Sequence, residues 1–163
     1  RHACEQAWLD SGLPVQILRL PGIYGPGRSV LNSLQTGKAR RILKADQVFC
    51  RIHVDDIAGA CLHLMHRAAD GPGPAIVNVS DDCPAAPQDL LLYGADLLKC
   101  ELPEEEPFDV ASRSMSAMAR SFWSENRRVR NTLLCRQLGY SLLHPDFKAG
   151  LQDCFRQEAQ SRS

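Results

Sequence analysis

The chain of 163 residues carries 19 basic and 19 acidic residues, so its formal net charge is zero. Hydrophobic residues make up 44% of the sequence and charged residues 23%, which is typical of a globular domain with its own core. A neutral chain lacks the excess of cations that drives binding to nucleic acids or anionic membranes. No apolar run approaches the ~20 residues of a membrane-spanning helix. We therefore expect a cytoplasmic protein that binds neither nucleic acid nor membrane.

Seven cysteines are scattered along the chain without a Cys-x-x-Cys pair. An odd number at irregular spacing fits neither a disulfide framework nor a zinc site, so we interpret them as buried, reduced thiols. His63 and His66 stand three residues apart on a predicted helix, a spacing that could hold a metal ion. Because no third ligand is apparent, the sequence predicts exposed histidines there and no metal site.

Strand and helix patterns alternate in the first half of the chain. In order, they predict a helix over 1–11, a strand over 15–20, a loop over 21–29, a weak helix over 29–36, extended segments over 40–52, a helix capped by Asp55 or Asp56 and running to Ala68, and a strand over 75–79. Arg19 stands inside the first strand and needs a partner, because a buried unpaired charge is costly. We predict that it pairs with Asp55 or Asp56.

The second half of the chain is richer in helix patterns. They predict a helix from Pro87 to Leu98, a solvated acidic loop over 101–109, partly helical structure over 112–126, a short helix over 132–138 closed by Gly139, and a fraying tail beyond Leu151. Strand–helix alternation followed by a helix-rich region predicts an α/β fold with an appended α region.

Three segments, in this order and spacing, resemble the extended short-chain dehydrogenase/reductase family, which includes the NAD-dependent epimerases and dehydratases. They are RLPGIYGPG at 19–27, RIHVDDIA at 51–58, and NRRVRN at 126–131 followed by Leu138-Gly139-Tyr140 and Pro145. The last segment is similar to a YeeZ-like subgroup of atypical members. Together the segments cover nearly the whole chain.

This resemblance implies the C-terminal portion of a Rossmann-like doubly wound parallel sheet with an appended small α-rich substrate-binding region. Residues 1–82 would belong to the NAD(P)-binding sheet, and residues 83–163 would form the substrate-binding or lid region. The family's glycine-rich phosphate loop does not occur in this sequence, so we interpret the chain as a fragment. The resemblance implies NAD or NADP as cofactor, a nucleotide-sugar or similar small polar substrate, and a homodimer as one assembly of the complete protein.

The resemblance also implies cofactor and catalytic residues. Pro21, Gly22, Ile23 and Tyr24 follow the carboxyl end of a strand, where open α/β sheets bind ligands, and would contact the nicotinamide end of the cofactor. The alternative is a turn that merely requires Pro and Gly. The family's catalytic Lys follows its catalytic Tyr by four residues, and an acidic residue commonly follows the Lys by four more. Glu5 matches that acidic residue, which places Arg1 at the Lys position.

Three arginines are candidates for binding an anionic substrate such as a nucleotide diphosphate. Arg28, Arg51 and Arg128 carry guanidinium groups, which bind phosphate in a bidentate way, although a solvated surface is the alternative for each. His53 is expected either to hold a loop by hydrogen bonding or to line the site.

The parent activity implied by the resemblance is that of an epimerase, dehydratase or reductase. One alternative is a redox sensor or regulator that binds NAD(P) without turnover, and another is a gene remnant without function. A Tyr four residues before Arg1 would favour an enzyme, because that pair carries the family's proton transfer.

Overall fold

The computed structural model describes residues 2–161 of the chain. Helices and strands alternate along it, and within these residues no helix is both long and apolar enough to cross a bilayer. In chain order the elements are α1 (His2–Leu9), β1 (Ile17–Arg19), β2 (Gly22–Tyr24), α2 (Val30–Gln35), β3 (Arg41–Leu43), β4 (Arg51–His53), α3 (Val54–Ala68), β5 (Ile76–Asn78), α4 (Pro87–Leu98), β6 (Glu105–Pro107), α5 (Phe108–Ser114), α6 (Ala117–Ser124), a π-helical turn (Leu133–Gln137) and α7 (Phe147–Gln160).

Every strand of the described chain pairs with one other strand, and all three pairs are parallel. β1 pairs with β5, β2 pairs with β4, and β3 pairs with β6. Parallel strands need crossover connections, and helices α2 and α3 lie within these connections. The predicted α/β class is therefore confirmed.

Two apolar clusters form the core. One joins the end of β2 to α2, α4 and α7 around the fully buried Leu31 and Leu151, and the other packs α3 against β4, β5 and the π-helical turn. Burying one such side chain contributes ~1.5–3 kcal/mol. Because Leu151 and Cys154 are both fully buried, α7 is held in the core and runs to Gln160. Our expectation of a fraying tail beyond Leu151 is wrong.

Local sequence sets the start of two helices. Pro87 occupies the first turn of α4, as predicted, because the first residues of a helix need no amide donor. Helix α3 begins at Val54, and its cap is His53 rather than the predicted Asp55 or Asp56. The His53 Nδ1 accepts a hydrogen bond from the Asp55 amide at 3.3 Å.

Two segments predicted as loops contain strands. β2 lies inside the predicted loop over 21–29, and β6 lies inside the acidic segment 101–109. The Pro and Gly content indicated a loop, but the Gly22 amide donates to the Cys50 carbonyl oxygen at 3.2 Å and ties β2 to β4. Tertiary pairing here overrides the local sequence signal.

Arg19 does not pair with Asp55 or Asp56. Its Nη2 lies 2.6 Å from Glu5 Oε2 on α1, so the predicted pairing is wrong. The physical reason is that Asp56 is fully buried and its carboxylate is bound by the segment 140–144. The pair between Arg19 and Glu5 instead fastens α1 to β1.

The cysteines and histidines also differ from expectation in part. All seven cysteines are free thiols: Cys50 and Cys154 are buried, Cys135 is half-buried, and Cys4, Cys61, Cys83 and Cys100 are exposed. The interpretation as buried thiols is therefore correct for two of them. His63 is half-buried, and its Nε2 lies 2.8 Å from the Leu138 carbonyl oxygen, whereas His66 is exposed as predicted.

Candidate functional site

A cleft of about 370 Å³ opens along β2, between α2 and the first turns of α4. Among the described residues that line it, four are basic and none is acidic, although the whole chain is neutral. The basic residues are Arg28, Lys38, Arg40 and Arg51, and the apolar ones include Ile23, Leu90, Leu91 and Leu151. A concave surface with this charge attracts anions.

The turn after β2 holds Arg28 at the edge of the cleft. Gly25 and Arg28 exchange two backbone hydrogen bonds of 3.2 and 3.0 Å. Gly27 has a φ of +75°, which residues with a side chain rarely adopt. A Cβ on Gly25 would lie 2.6 Å from Val54, and the Gly27 amide donates to Glu158 of α7 at 2.9 Å. The turn therefore requires both glycines, independently of any ligand.

β2 presents backbone groups to the cleft. Gly22 donates its amide to β4, and in a parallel pair alternate residues point their amides toward the partner strand. The Ile23 amide therefore faces away from β4, on a side where the structure describes no further strand within residues 2–161. Gly22 and Ile23 are both exposed at the cleft. This leaves a backbone donor for a polar ligand that lies along β2.

Tyr24 lines the inner wall of the cleft with its ring. The side chain is 6% exposed, and its hydroxyl packs on Gly150 of α7 without a hydrogen-bond partner among the described residues. Burial raises the pKa of Tyr24 above its usual range. The ring meets His53 edge-on, with 5.2 Å between centroids. Tyr24 therefore supports the wall and does not offer its hydroxyl for proton transfer at the cleft.

Arg51 on β4 enters the cleft from its floor. Its Nη1 donates to the carbonyl oxygens of Phe49 at 2.9 Å and Ala85 at 3.0 Å, which fixes the guanidinium in place. Asp81 lies near Arg51 and is 2% exposed. Burial raises the pKa of Asp81 to about 7, against the opposing effect of Arg51.

The other three cations differ in how firmly they are held. Arg40 is paired with Glu106, with Nη2 at 2.8 Å and Nε at 3.0 Å from the carboxylate oxygens. Arg28 and Lys38 are exposed, and their side chains form no hydrogen bond or ion pair within the described chain. The sequence analysis missed Lys38 and Arg40. The basic run GKARR at 37–41 was the signal that could have identified them.

Of the eight predicted site residues that the structure describes, five lie together and three do not. Gly22, Ile23, Tyr24, Arg28 and Arg51 line the cleft. Pro21 is half-buried just before β2, His53 is fully buried behind Tyr24, and Arg128 is exposed; none of these three lines the cleft. Arg1 lies outside the described residues. The His53 side chain caps α3 by accepting a hydrogen bond from the Asp55 amide, instead of holding a loop or lining the cleft.

The sequence matches no family model and no curated protein, whereas the structure matches many solved structures. A conserved protein of unknown function from Silicibacter pomeroyi is 42% identical, with a TM-score of 0.84 over 98% of this chain and 54% of that one. A human epimerase family protein solved with NADPH is 19% identical, with a TM-score of 0.70 over 85% and 47% of the two chains. A UDP-glucuronic acid 4-epimerase from Bacillus cereus, solved with a fluorinated UDP-sugar and NAD, is 14% identical, with a TM-score of 0.66 over 98% and 50%.

These similarities establish the fold. It is α/β with parallel strands and corresponds to part of the Rossmann-like structures of epimerases and dehydratases, as the sequence predicted. The chain spans about half the length of each of these structures. Assignment to the YeeZ-like subgroup stays a prediction.

Proposed function

We propose that the chain belongs to the NAD-dependent epimerase/dehydratase family and forms the substrate side of an NAD(P)-dependent oxidoreductase that acts on a nucleotide-sugar or a similar small polar anion. The observation that carries this proposal is the cleft along β2, with four basic residues and no carboxylate among its described lining residues. The shared fold supports it, because the B. cereus epimerase was solved with both a UDP-sugar and NAD. In this proposal residues 1–82 supply the cofactor side together with the four basic residues of the cleft, and residues 83–163 form the substrate-binding or lid region that supplies the cleft's apolar residues Leu90, Leu91 and Leu151.

The backbone of β2 fits the nicotinamide end of the cofactor. The amide of Ile23 is directed to the open edge of the strand, and Gly22 adds no side chain there, so a flat ring with a carboxamide could lie against both residues. NAD or NADP bound there would supply hydride transfer. Arg1, at the position of the family's Lys, stays a proposed catalytic residue.

The cations of the cleft fit a diphosphate. Arg51 is already oriented by two carbonyl oxygens, so little side-chain entropy is lost when its remaining N–H groups bind an anion. Arg28 and Lys38 are exposed and can adjust to the ligand. A hydrogen bond to a charged group contributes about 1.5–3 kcal/mol, so each cation should account for roughly a tenfold or larger change in affinity. His53 and Arg128 are not part of this proposal, because neither lines the cleft.

Calorimetric titration of the chain with UDP and with uridine tests the proposal. We expect UDP to bind at least tenfold more tightly than uridine, and Arg28→Gln to lower the affinity for UDP about tenfold. The matched control is Arg136→Gln, which removes an exposed arginine outside the cleft and should leave the affinity unchanged. Equal binding of UDP and uridine, or an equal effect of both variants, would contradict the proposal. A longer protein containing this chain that binds NADPH but turns over no nucleotide-sugar would favour the redox-sensor alternative.

A further inference from the structure

Behind the inner wall of the cleft, two histidines and two aspartates converge. His53 ends β4, Asp55 lies in the first turn of α3, His144 precedes α7, and Asp153 lies on α7. One nitrogen or oxygen atom from each residue lies within 4.8 Å of those from the other three. His53 is fully buried and His144 nearly so, whereas Asp55 and Asp153 open the cluster to solvent.

Two distances within the cluster resemble separations between ligands of one metal ion. The His144 Nε2 lies 3.5 Å from Asp153 Oδ2, and the His53 Nδ1 lies 3.6 Å from Asp55 Oδ2. Charge-assisted hydrogen bonds are shorter, about 2.7–2.9 Å. Atoms about 2.0–2.2 Å from a tetrahedral Zn²⁺ are roughly 3.3–3.6 Å from each other. Coordination through His53 Nδ1 takes the place of its 3.3 Å hydrogen bond from the Asp55 amide. The half-exposed side chain of Asp55 can rotate to shorten the other ligand separations, which are within 4.8 Å.

A buried carboxylate orients His144 for coordination. Asp56 is fully buried and accepts hydrogen bonds from the Tyr140 hydroxyl at 3.1 Å and from the amides of Leu143 at 2.7 Å and His144 at 2.9 Å. Its Oδ2 also lies 3.1 Å from His144 Nδ1. If Nδ1 carries the proton and donates it to Asp56, a neutral His144 directs the lone pair of Nε2 toward Asp153. A carboxylate behind a histidine in this way is typical of metal sites.

The charges of the cluster also suit a divalent cation. The carboxylates of Asp55, Asp56 and Asp153 lie around the two imidazole rings, and Arg156 pairs with Asp153, with its Nη2 3.0 Å from Oδ1.

We propose that His53, Asp55, His144 and Asp153 bind one divalent transition-metal ion, with Zn²⁺ as the preferred ion. The sequence analysis predicted no metal site, because these ligands lie on three separate segments of the chain. The ion has no part in the reaction proposed for the cleft. It joins α3 to α7, and α7 in turn holds Tyr24 through Gly150. Because folding brings the four ligands together, the ion binds the folded chain more tightly than the unfolded chain and therefore stabilises the folded state.

Chelator-treated chain titrated with Co²⁺ and Zn²⁺ tests the proposal. We expect one equivalent of Co²⁺ to give the visible absorption bands of a four-coordinate ion, Zn²⁺ to displace it, and Zn²⁺ to raise the thermal midpoint. The double variant Asp55→Asn/Asp153→Asn keeps both side-chain shapes at positions open to solvent and should weaken Co²⁺ binding at least tenfold. Circular dichroism without metal shows whether this variant remains folded, and the single variant Asp55→Asn serves if it does not.

Two controls separate this site from other ligands on the chain. His66→Gln removes one histidine of the exposed face of α3 and should leave Co²⁺ binding unchanged. The Cys154 Sγ lies 3.5 Å from His53 Nε2 and is a competing ligand, which a sulfur-to-cobalt charge-transfer band would reveal. Absence of the visible bands, their retention in the aspartate variants, their loss in His66→Gln, or a sulfur-to-cobalt charge-transfer band would each overturn the proposal.

Discussion

Removal of the Asp56 carboxylate should strongly reduce the stability of the fold. It is fully buried, and its two oxygens accept four hydrogen bonds, from Tyr140, Leu143 and His144. In Asp56→Asn, one oxygen remains for Tyr140 and Leu143, but an NH₂ group replaces the oxygen that faces His144. The ring of His144 can change its protonated nitrogen, but its backbone amide cannot, so one buried donor is left unpaired.

An unpaired buried donor costs about 1–3 kcal/mol, and loss of hydrogen bonds to a charged acceptor costs more, so we expect Asp56→Asn to lower the free energy of unfolding by about 3–5 kcal/mol. Urea denaturation monitored by circular dichroism, in the presence of chelator, measures this change. The control Asp55→Asn alters a half-exposed neighbour and should cost less than about 1 kcal/mol. Tyr140→Phe, which removes a single hydrogen bond, should cost about 1–2 kcal/mol and serves if Asp56→Asn does not fold. A loss below 1 kcal/mol in Asp56→Asn would refute the reasoning.

Three further predictions concern packing, pH and association. Gly150→Ala places a Cβ against the Tyr24 hydroxyl, so we expect a loss of about 1–3 kcal/mol in thermal unfolding, with a smaller loss in the Tyr24→Phe background. The pKa of Asp81 rises from 3.8 to about 7 on folding, so the folded chain holds the extra proton, and its stability should fall as pH rises from about 4 to 7. Asp81→Asn should remove this fall in the free energy of unfolding, which amounts to up to about 4 kcal/mol. If urea denaturation at pH 5 and pH 8 gives the same difference in the variant, other groups cause the fall. Trp8 is 58% exposed on α1, which buries no side chain, so the chain should self-associate in size-exclusion chromatography, and Trp8→Gln should reduce that association.

The sequence was informative where a local rule decides the structure. Pro87 predicted the start of α4 because a proline is tolerated in the first turn of a helix, and the structure places it there. Arg28 and Arg51 were identified as guanidinium groups suited to an anion, one directly after a family-like segment and the other at the start of one, and both line the cleft. These results depended on short stretches of chain whose residues act on their immediate neighbours.

The sequence was uninformative where distant segments meet. Asp56 and His144 are separated by 88 positions, and no spacing rule connects them. The same limitation explains Arg19: two carboxylates in a neighbouring motif looked like its partners, but Asp56 was already bound and Glu5 on α1 was closer. β2 was missed because a three-residue strand is defined by its pairing with β4 more than by its own composition.

The cleft and the proposed metal site are connected through one face of β4. Arg51 and His53 are two residues apart on this strand, so their side chains leave it on the same side. In the parallel register Gly22 lies opposite Arg51 and Tyr24 lies opposite His53, which places β2 directly beside both residues. Because the ring of Tyr24 stands between the cleft and His53, an ion at the cluster would fix the wall of the cleft without entering it. The basic residues of the cleft are therefore accessible, while the carboxylates of Asp55, Asp56 and Asp153, which would repel the proposed anion, lie behind that wall.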